Sequence, residues 1–286
     1  VGILLGPNQY GKAETRVVRV DRDSDRHVVH DLNVSVALRG TLESTHLSGD
    51  NSPVLPTDSQ KNTVYAFAKE YGIGRVEDFG LRLARHFVDS QPTITAARVG
   101  IEEYGWTRLG PHSFARTGGE TRTAVLTYDG DRASVVSGMT GLVLMNSTDS
   151  EFWGYLKDPY TTLPETRDRI LATAVSAQWR HAGTDGTDWD ESHAGVRGAL
   201  VDAFVDTYSL SLQQTLYQMG RRALEKRAEI VEVRLSLPNK HHFVVDLARF
   251  GLENPNEVFV AADRPYGMIE GTVLRDDALE PGLAWW

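Results

Sequence analysis

The same order of hydrophobic periods runs twice along this chain, and that echo limits its folds more than any single motif does. Leu32, Val34, Val36 and Leu38 alternate with Asn33, Ser35 and Ala37, and Thr15 to Val20 precede them across the charged run Asp21 to Arg26. A period of two is that of a half-buried strand, so this stretch reads as a hairpin with a charged turn. After a polar loop from Leu42 to Pro56, Val64, Phe67, Ala68 and Tyr71 take helical spacing behind Thr57 and Asp58, and Gly72 and Gly74 stop that helix. Val76, Phe79, Leu83 and Phe87 mark a second helix ending before Pro92, and strands return from Ile94 to about Trp106 and from His112 to about Tyr128.

The second half repeats this order in pattern, without residue-by-residue identity. Gly141 to Met145 and Leu171 to Trp179 read as strands, Val196 to Asp206 and Leu212 to Lys226 as helices, and Ile230 to Leu237 and Phe243 to Leu247 as strands again. The expected architecture is α+β, with two ββααββ domains at residues 1–138 and 139–286. Each contributes a four-stranded antiparallel sheet with a helix pair on one face, and the two sheets should associate side by side. Open edges and an uncovered sheet face are liabilities unless another copy covers them, which points to a symmetric oligomer whose sheets close into a barrel.

At 286 residues the chain can bury a large core without staples, and its lack of cysteine excludes thiol nucleophiles, thiolate metal sites and iron–sulfur clusters. A formal charge of −9 argues against a general nucleic-acid binder, and an anionic ligand would need a local basic pocket. No apolar run approaches a membrane span, Val1-Gly2-Ile3-Leu4-Leu5 is too short for a signal h-region and lacks a basic n-region, and Leu283-Ala284-Trp285-Trp286 does not read as a peroxisomal tail, so a cytoplasmic protein is expected.

Chemistry concentrates at Leu237-Pro238-Asn239-Lys240-His241-His242-Phe243. Val231, Val233, Leu235 and Leu237 alternate with Glu232, Arg234 and Ser236 as a strand, which Pro238 should interrupt because it has no N–H to donate. If the chain stays extended, Asn239 and His241 share one face, with Lys240 and His242 on the other. An amide beside an imidazole can hold a small polar molecule, although a solvated strand end has the same composition. Other segments are ambiguous singly. Lys12 in Tyr10-Gly11-Lys12 is by default a surface charge, and Thr57-Asp58-Ser59 is a good helix cap whose free N–H groups could equally meet a ligand. The aromatics of Glu151-Phe152-Trp153-Gly154-Tyr155 are more often core than platform. Arg169, among acids, would ordinarily sit in a surface ion pair, and Leu212-Gln213 is an ordinary helix start.

Taken together these segments resemble the urate oxidase family. Tyr10-Gly11-Lys12, the run Leu55 to Thr63, Phe152-Trp153-Gly154, Tyr160-Thr161-Thr162-Leu163 through Arg169, and Leu237-Pro238-Asn239-Lys240-His241 occur in the family's order over nearly the whole chain. The resemblance implies two tunnelling-fold domains, a homotetramer with active sites between subunits, and oxidation of urate by O2 and water to 5-hydroxyisourate and hydrogen peroxide, with no metal or organic cofactor. It implies that Arg169 and Gln213 grip the purine anion, that Phe152 stacks on its ring and that Leu212 adds a backbone contact. Thr57 and the N–H of Asp58 would reach in from a neighbouring subunit, Asn239 would hold oxygen or water above the ring, and Lys12, Thr57 and His241 would form the proton relay.

Two other readings carry less. A cyclohydrolase or aldolase of the same barrel fold would use an acidic anchor where Gln213 stands, and the hydrolases would need zinc without a cysteine to hold it. A non-catalytic purine-binding barrel would predict loss of Lys12, Thr57 or His241, and all three are present. Neither His27 with His30 nor His241 with His242 has the parity of a chelate, so no metal site is expected.

Overall fold

The computed structural model describes residues 2–286, which fall into two compact units. The first comprises residues 2–138, Arg180–Asp190 and Leu279–Trp286, and the second Met139–Trp179 and Glu191–Ala278. Among the described residues no helix is long and apolar enough to cross a membrane.

In the first unit, β1 (Tyr10–Asp21), β2 (Val28–Gly40), β3 (Ile94–Glu103) and β6 (Thr121–Tyr128) pair antiparallel in that order, while β4 (Trp106–Arg108) and β5 (Phe114–Arg116) form a separate hairpin. The polar loop after β2 contains a short helix, α1 (Glu43–Ser48), which its composition does not announce. Helices α2 (Thr57–Glu70) and α3 (Val76–Asp89) follow. The apolar residues of α3 recur at Val76, Phe79, Leu83 and Phe87, and all four are buried against Leu126, Ile101 and the alternating inward residues of β2. Each such side chain contributes on the order of 2 kcal/mol through area removed from water. Gly80 lets the helix approach, since a Cβ there would come within 2.3 Å of Leu126 Cδ2. The first turn carries Glu77 and Asp78, the sign that the positive helix start favours.

The second unit has its own core, in which Val196, Leu200 and Phe204 of α4 (Trp189–Asp206) and Leu212, Leu216, Met219 and Ala223 of α5 (Leu212–Lys226) pack on β8 (Leu171–His181) and β9 (Ile230–Ser236). Ser211 caps α5 by accepting from the N–H of Gln214 at 3.1 Å. The strand expected at Gly141 to Met145 is the second part of a longer one, β7 (Ala133–Asn146). The final strand is β10 (Asn239–Val244) rather than Phe243 to Leu247, and two more follow that alternation does not reveal: β11 (Phe259–Gly267) and β12 (Glu270–Leu274). β12 pairs with β9, and β11 with β10. Both new strands are interrupted by Asp, Arg, Pro or Gly, which hides the two-residue period. Pro238 does break the ladder, for β9 ends at Ser236 and β10 restarts at Asn239.

Candidate active site

One wall of a cavity in the second unit is built by the chain between Ser150 and Arg169. Phe152 and Thr166 form an isolated antiparallel bridge, each N–H donating to the other's carbonyl at 2.9 and 3.0 Å. That bridge folds the segment back on itself and brings two distant side chains together, with the Arg169 guanidinium carbon 5.3 Å from the centre of the Phe152 ring. Tyr155 stacks on Phe152 with centroids 4.8 Å apart and planes 18° from parallel, which restrains the ring. Ser150 is fully buried and holds Arg169 twice: its carbonyl accepts from the Arg169 N–H at 3.0 Å, and its hydroxyl accepts from Nε at 3.1 Å. The terminal nitrogens of Arg169 are thereby left for something else. No carboxylate pairs with them among the described residues, and burial is what lowers this group's pKa. A guanidinium stays protonated nonetheless, so the cavity wall carries an uncompensated positive charge.

The facing wall comes from β10, with Asn239, His241, His242 and Phe243, joined by Asn256 and Phe259, around a volume of about 600 Å³. Asn239 opposes Gly267 on β11 and Thr173 on β8. His241 stacks on Phe243, centroids 5.7 Å apart. Its pKa is pushed down, first by burial and then by the charges of Arg169 and His242, so the imidazole is neutral near pH 7 and can accept a proton. His242 also lines the cavity, where strict alternation would turn it away. The β10–β11 register shifts between Asn239 and His241, whereas His241 and His242 pair in regular register with Ala262 and Ala261. The Nδ1 of His242 donates to the Lys240 carbonyl at 3.0 Å. The nearby acid is already engaged, Asp168 accepting from Thr148 at 2.8 Å and from Asn256 at 3.1 Å.

Four of the residues singled out from the sequence therefore share this cavity: Phe152, Arg169, Asn239 and His241. Leu212 and Gln213 belong to the same unit but do not line it; Leu212 is buried in the core and Gln213 is exposed on the first turn of α5. Lys12, Thr57 and Asp58 lie in the first unit. Lys12 is on β1 opposite Val36, beside a bulge that ends at Thr15. Thr57 opens α2 behind Pro56 and makes no side-chain cap, so the first N–H groups of that helix are not met by capping. Asp58 binds Lys61 and Asn62, at 2.5 and 3.0 Å, and the charge of Lys12 also acts on it, which together lower its pKa. The sequence gives no signal for Ser150 or Asn256, whose parts depend on bridges formed far along the chain. Tyr155 belongs to a recognised aromatic cluster, although its stacking partner does not follow from spacing alone. Among the described residues no group of three or more His, Asp or Glu is placed to hold a metal.

A cavity with a planar cation, stacked rings and a neutral imidazole suits a small flat anion. Comparison with known proteins gives the same direction. A family model described as uricase matches residues 8–127 and 135–270. The uricase of Arthrobacter globiformis is 51% identical over 285 residues, covering 99% of this chain and 94% of that one, and its crystal structure superposes with a TM-score of 0.95 over 99% and 100% of the two chains. The uricase of Aspergillus flavus is 38% identical over 288 residues, covering 93% and 95%. A uricase structure from Bacillus fastidious, 23% identical with a TM-score of 0.78 over 95% and 94%, shares the fold. The chain belongs to the uricase family, whose members are urate oxidases.

Proposed function

We propose that the protein oxidises urate with O2 and water to 5-hydroxyisourate and hydrogen peroxide, using neither metal nor organic cofactor. The observation that carries this reading is the uncompensated guanidinium of Arg169 beside the Phe152 ring, in a cavity whose other wall holds a neutral imidazole and an amide. A flat purine anion fits both demands, with its ring on Phe152 and its negative edge on the planar fork of Arg169. Gln213 completes the grip on that edge, and Leu212 adds a backbone contact. Asn239 holds oxygen, and then water, above the ring.

In this reading the working site is formed in a homotetramer, where Lys12, Thr57 and Asp58 of a neighbouring copy meet the cavity of the second unit. Lys12, through the Thr57 hydroxyl, removes a proton from bound urate. The electron-rich dianion gives two electrons to O2, which leaves as hydrogen peroxide after taking up two protons. Water then adds to the oxidised ring while His241 and Thr57 accept its proton, giving the hydroxylated product. A hydroxyl between an amine and an imidazole can pass a proton in either direction, as two successive proton-transfer steps require. The protein's share is then orientation and electrostatics.

The test is an anaerobic and an aerobic incubation of purified protein with urate, following urate absorbance, oxygen uptake and peroxide. Oxygen-dependent loss of urate with one peroxide per urate is expected. Urate loss without oxygen, or no loss at all, would overturn the proposal. Sedimentation of the active protein should give four chains, and an active monomer would remove the shared-site part of the reading.

A further inference from the structure

The two residues read as the grip on a ligand's edge, Arg169 and Gln213, lie on different segments of the second unit, and a pair of buried serines joins those segments. Ser150 and Ser209 are both wholly inaccessible, and they form an isolated parallel bridge. The Glu151 N–H donates to the Ser209 carbonyl at 2.7 Å, and the Ser209 N–H donates to the Asp149 carbonyl at 2.9 Å. From this bridge one hydroxyl leads each way. That of Ser150 accepts from Arg169 Nε at 3.1 Å. That of Ser209 donates to the Ser211 carbonyl at 3.1 Å and accepts from the Thr215 hydroxyl at 2.9 Å.

Ser211 and Thr215 bracket the first turn of α5, for the Thr215 N–H donates to that same Ser211 carbonyl at 3.1 Å. The Leu210 N–H donates to Gln214 Oε1 at 2.7 Å, which holds the entry to the helix from the other side. Gln213 stands between these tied residues, and among the described residues no hydrogen bond engages its side-chain amide. Its place on the turn is therefore set while its amide is left open, just as Ser150 sets Arg169 and leaves the terminal nitrogens open. Thr215 is also wholly inaccessible. A buried hydroxyl is tolerated when it is bonded, and a bonded one fixes direction where a methyl group would not.

We propose that Ser209 is a positioning residue for urate, its hydroxyl fixing the start of α5 against the segment that carries Arg169, so that Gln213 and Arg169 meet one ligand edge at a set spacing. The inference rests on the reading of Arg169 and Gln213 as the urate clamp. Ser209 is sealed from solvent and touches no ligand itself. It acts through Gln213, and loosening it releases one arm of a two-point grip while Ser150 still holds the other. A grip made in ground and transition states alike governs KM more than kcat.

Steady-state kinetics with urate on Ser209→Ala, Gln213→Ala and the double variant test this, with the thermal midpoint measured on each sample. Ser209→Ala is expected to raise the KM about three- to tenfold, the equivalent of one neutral hydrogen bond, with kcat nearly unchanged. In the Gln213→Ala background the same change should add almost nothing, because the arm it steers is gone. An unchanged KM, or an equal rise in both backgrounds, would overturn the proposal. So would a loss confined to kcat and the midpoint, which is what a purely structural serine would give. Should Ser209→Ala fail to fold, Ser209→Cys, nearly the same shape but a weak donor, decides by the same comparison. A wild type that leaves urate untouched would remove the clamp reading and this inference with it, whereas an active wild type matched by Ser209→Ala overturns this inference alone.

Discussion

Ser150 shows how little of a binding residue's behaviour resides in the residue itself. By taking the backbone N–H and Nε of Arg169, it fixes the plane of the guanidinium and leaves the terminal nitrogens to a ligand. A charged hydrogen bond contributes about 1.5–3 kcal/mol, so Arg169→Gln is expected to raise the KM for urate roughly ten- to a hundredfold. Steady-state kinetics on a folded variant check this, and an unchanged KM would remove Arg169 from the clamp. His241 makes a prediction about pH. Its folded pKa lies below the ordinary value of 6.5, so between those two values the unfolded chain binds more protons than the folded one. The stability contribution of His241 is therefore constant above about 6.5 and falls as pH drops through that window. Denaturant unfolding should show wild type losing more stability than His241→Gln between pH 7 and 5, and parallel curves would reject the shift.

At the scale of elements, the position of Lys12 depends on its neighbour. A Cβ on Gly11 would come within 1.8 Å of the Val36 carbonyl oxygen, a backbone atom that cannot swing aside, so β1 reaches β2 here only because residue 11 is glycine. Gly11→Ala is expected to shift the register beside Lys12, lower the thermal midpoint by several degrees and reduce urate turnover more than it reduces the folded fraction. Calorimetry with activity on the same sample reads both, and a variant unchanged in each would show that the strands have room to part. Elements whose burial follows a simple period were legible in advance, as Val76, Phe79, Leu83 and Phe87 of α3 show. β11 and β12 were not, because Pro265, Gly267 and Gly271 leave no two-residue pattern for alternation to reveal.

At the scale of the whole molecule, the least legible feature is a buried polar network in the first unit. Glu77, wholly inaccessible, accepts from Arg122 at 2.8 Å and from the Ser137 hydroxyl at 2.7 Å, and His181 Nε2 lies 3.1 Å from that hydroxyl. Arg122 also binds Asp190 at 2.7 Å. Removing one partner of a buried ion pair leaves a bare charge, so Glu77→Ala should cost about 3–5 kcal/mol of stability. Urea unfolding measures it, and a cost below about 1 kcal/mol would mean that water replaces the carboxylate. From sequence, Glu77 is only an acidic residue in a first helical turn.

By itself the sequence determined the α+β class, the helix faces, the break at Pro238 and the family, because local periods and contiguous motifs are written in neighbouring residues. It also named Phe152, Arg169, Asn239 and His241, and the tertiary structure decided that these four meet in one cavity while Leu212 and Gln213 stand outside its lining. The Phe152–Thr166 bridge, the grip of Ser150 and the entry of His242 into the cavity are likewise decided only in three dimensions. The physical reason is common to all of them. Each depends on which groups are denied water and on what then lies within reach, and neither is fixed until distant segments have packed.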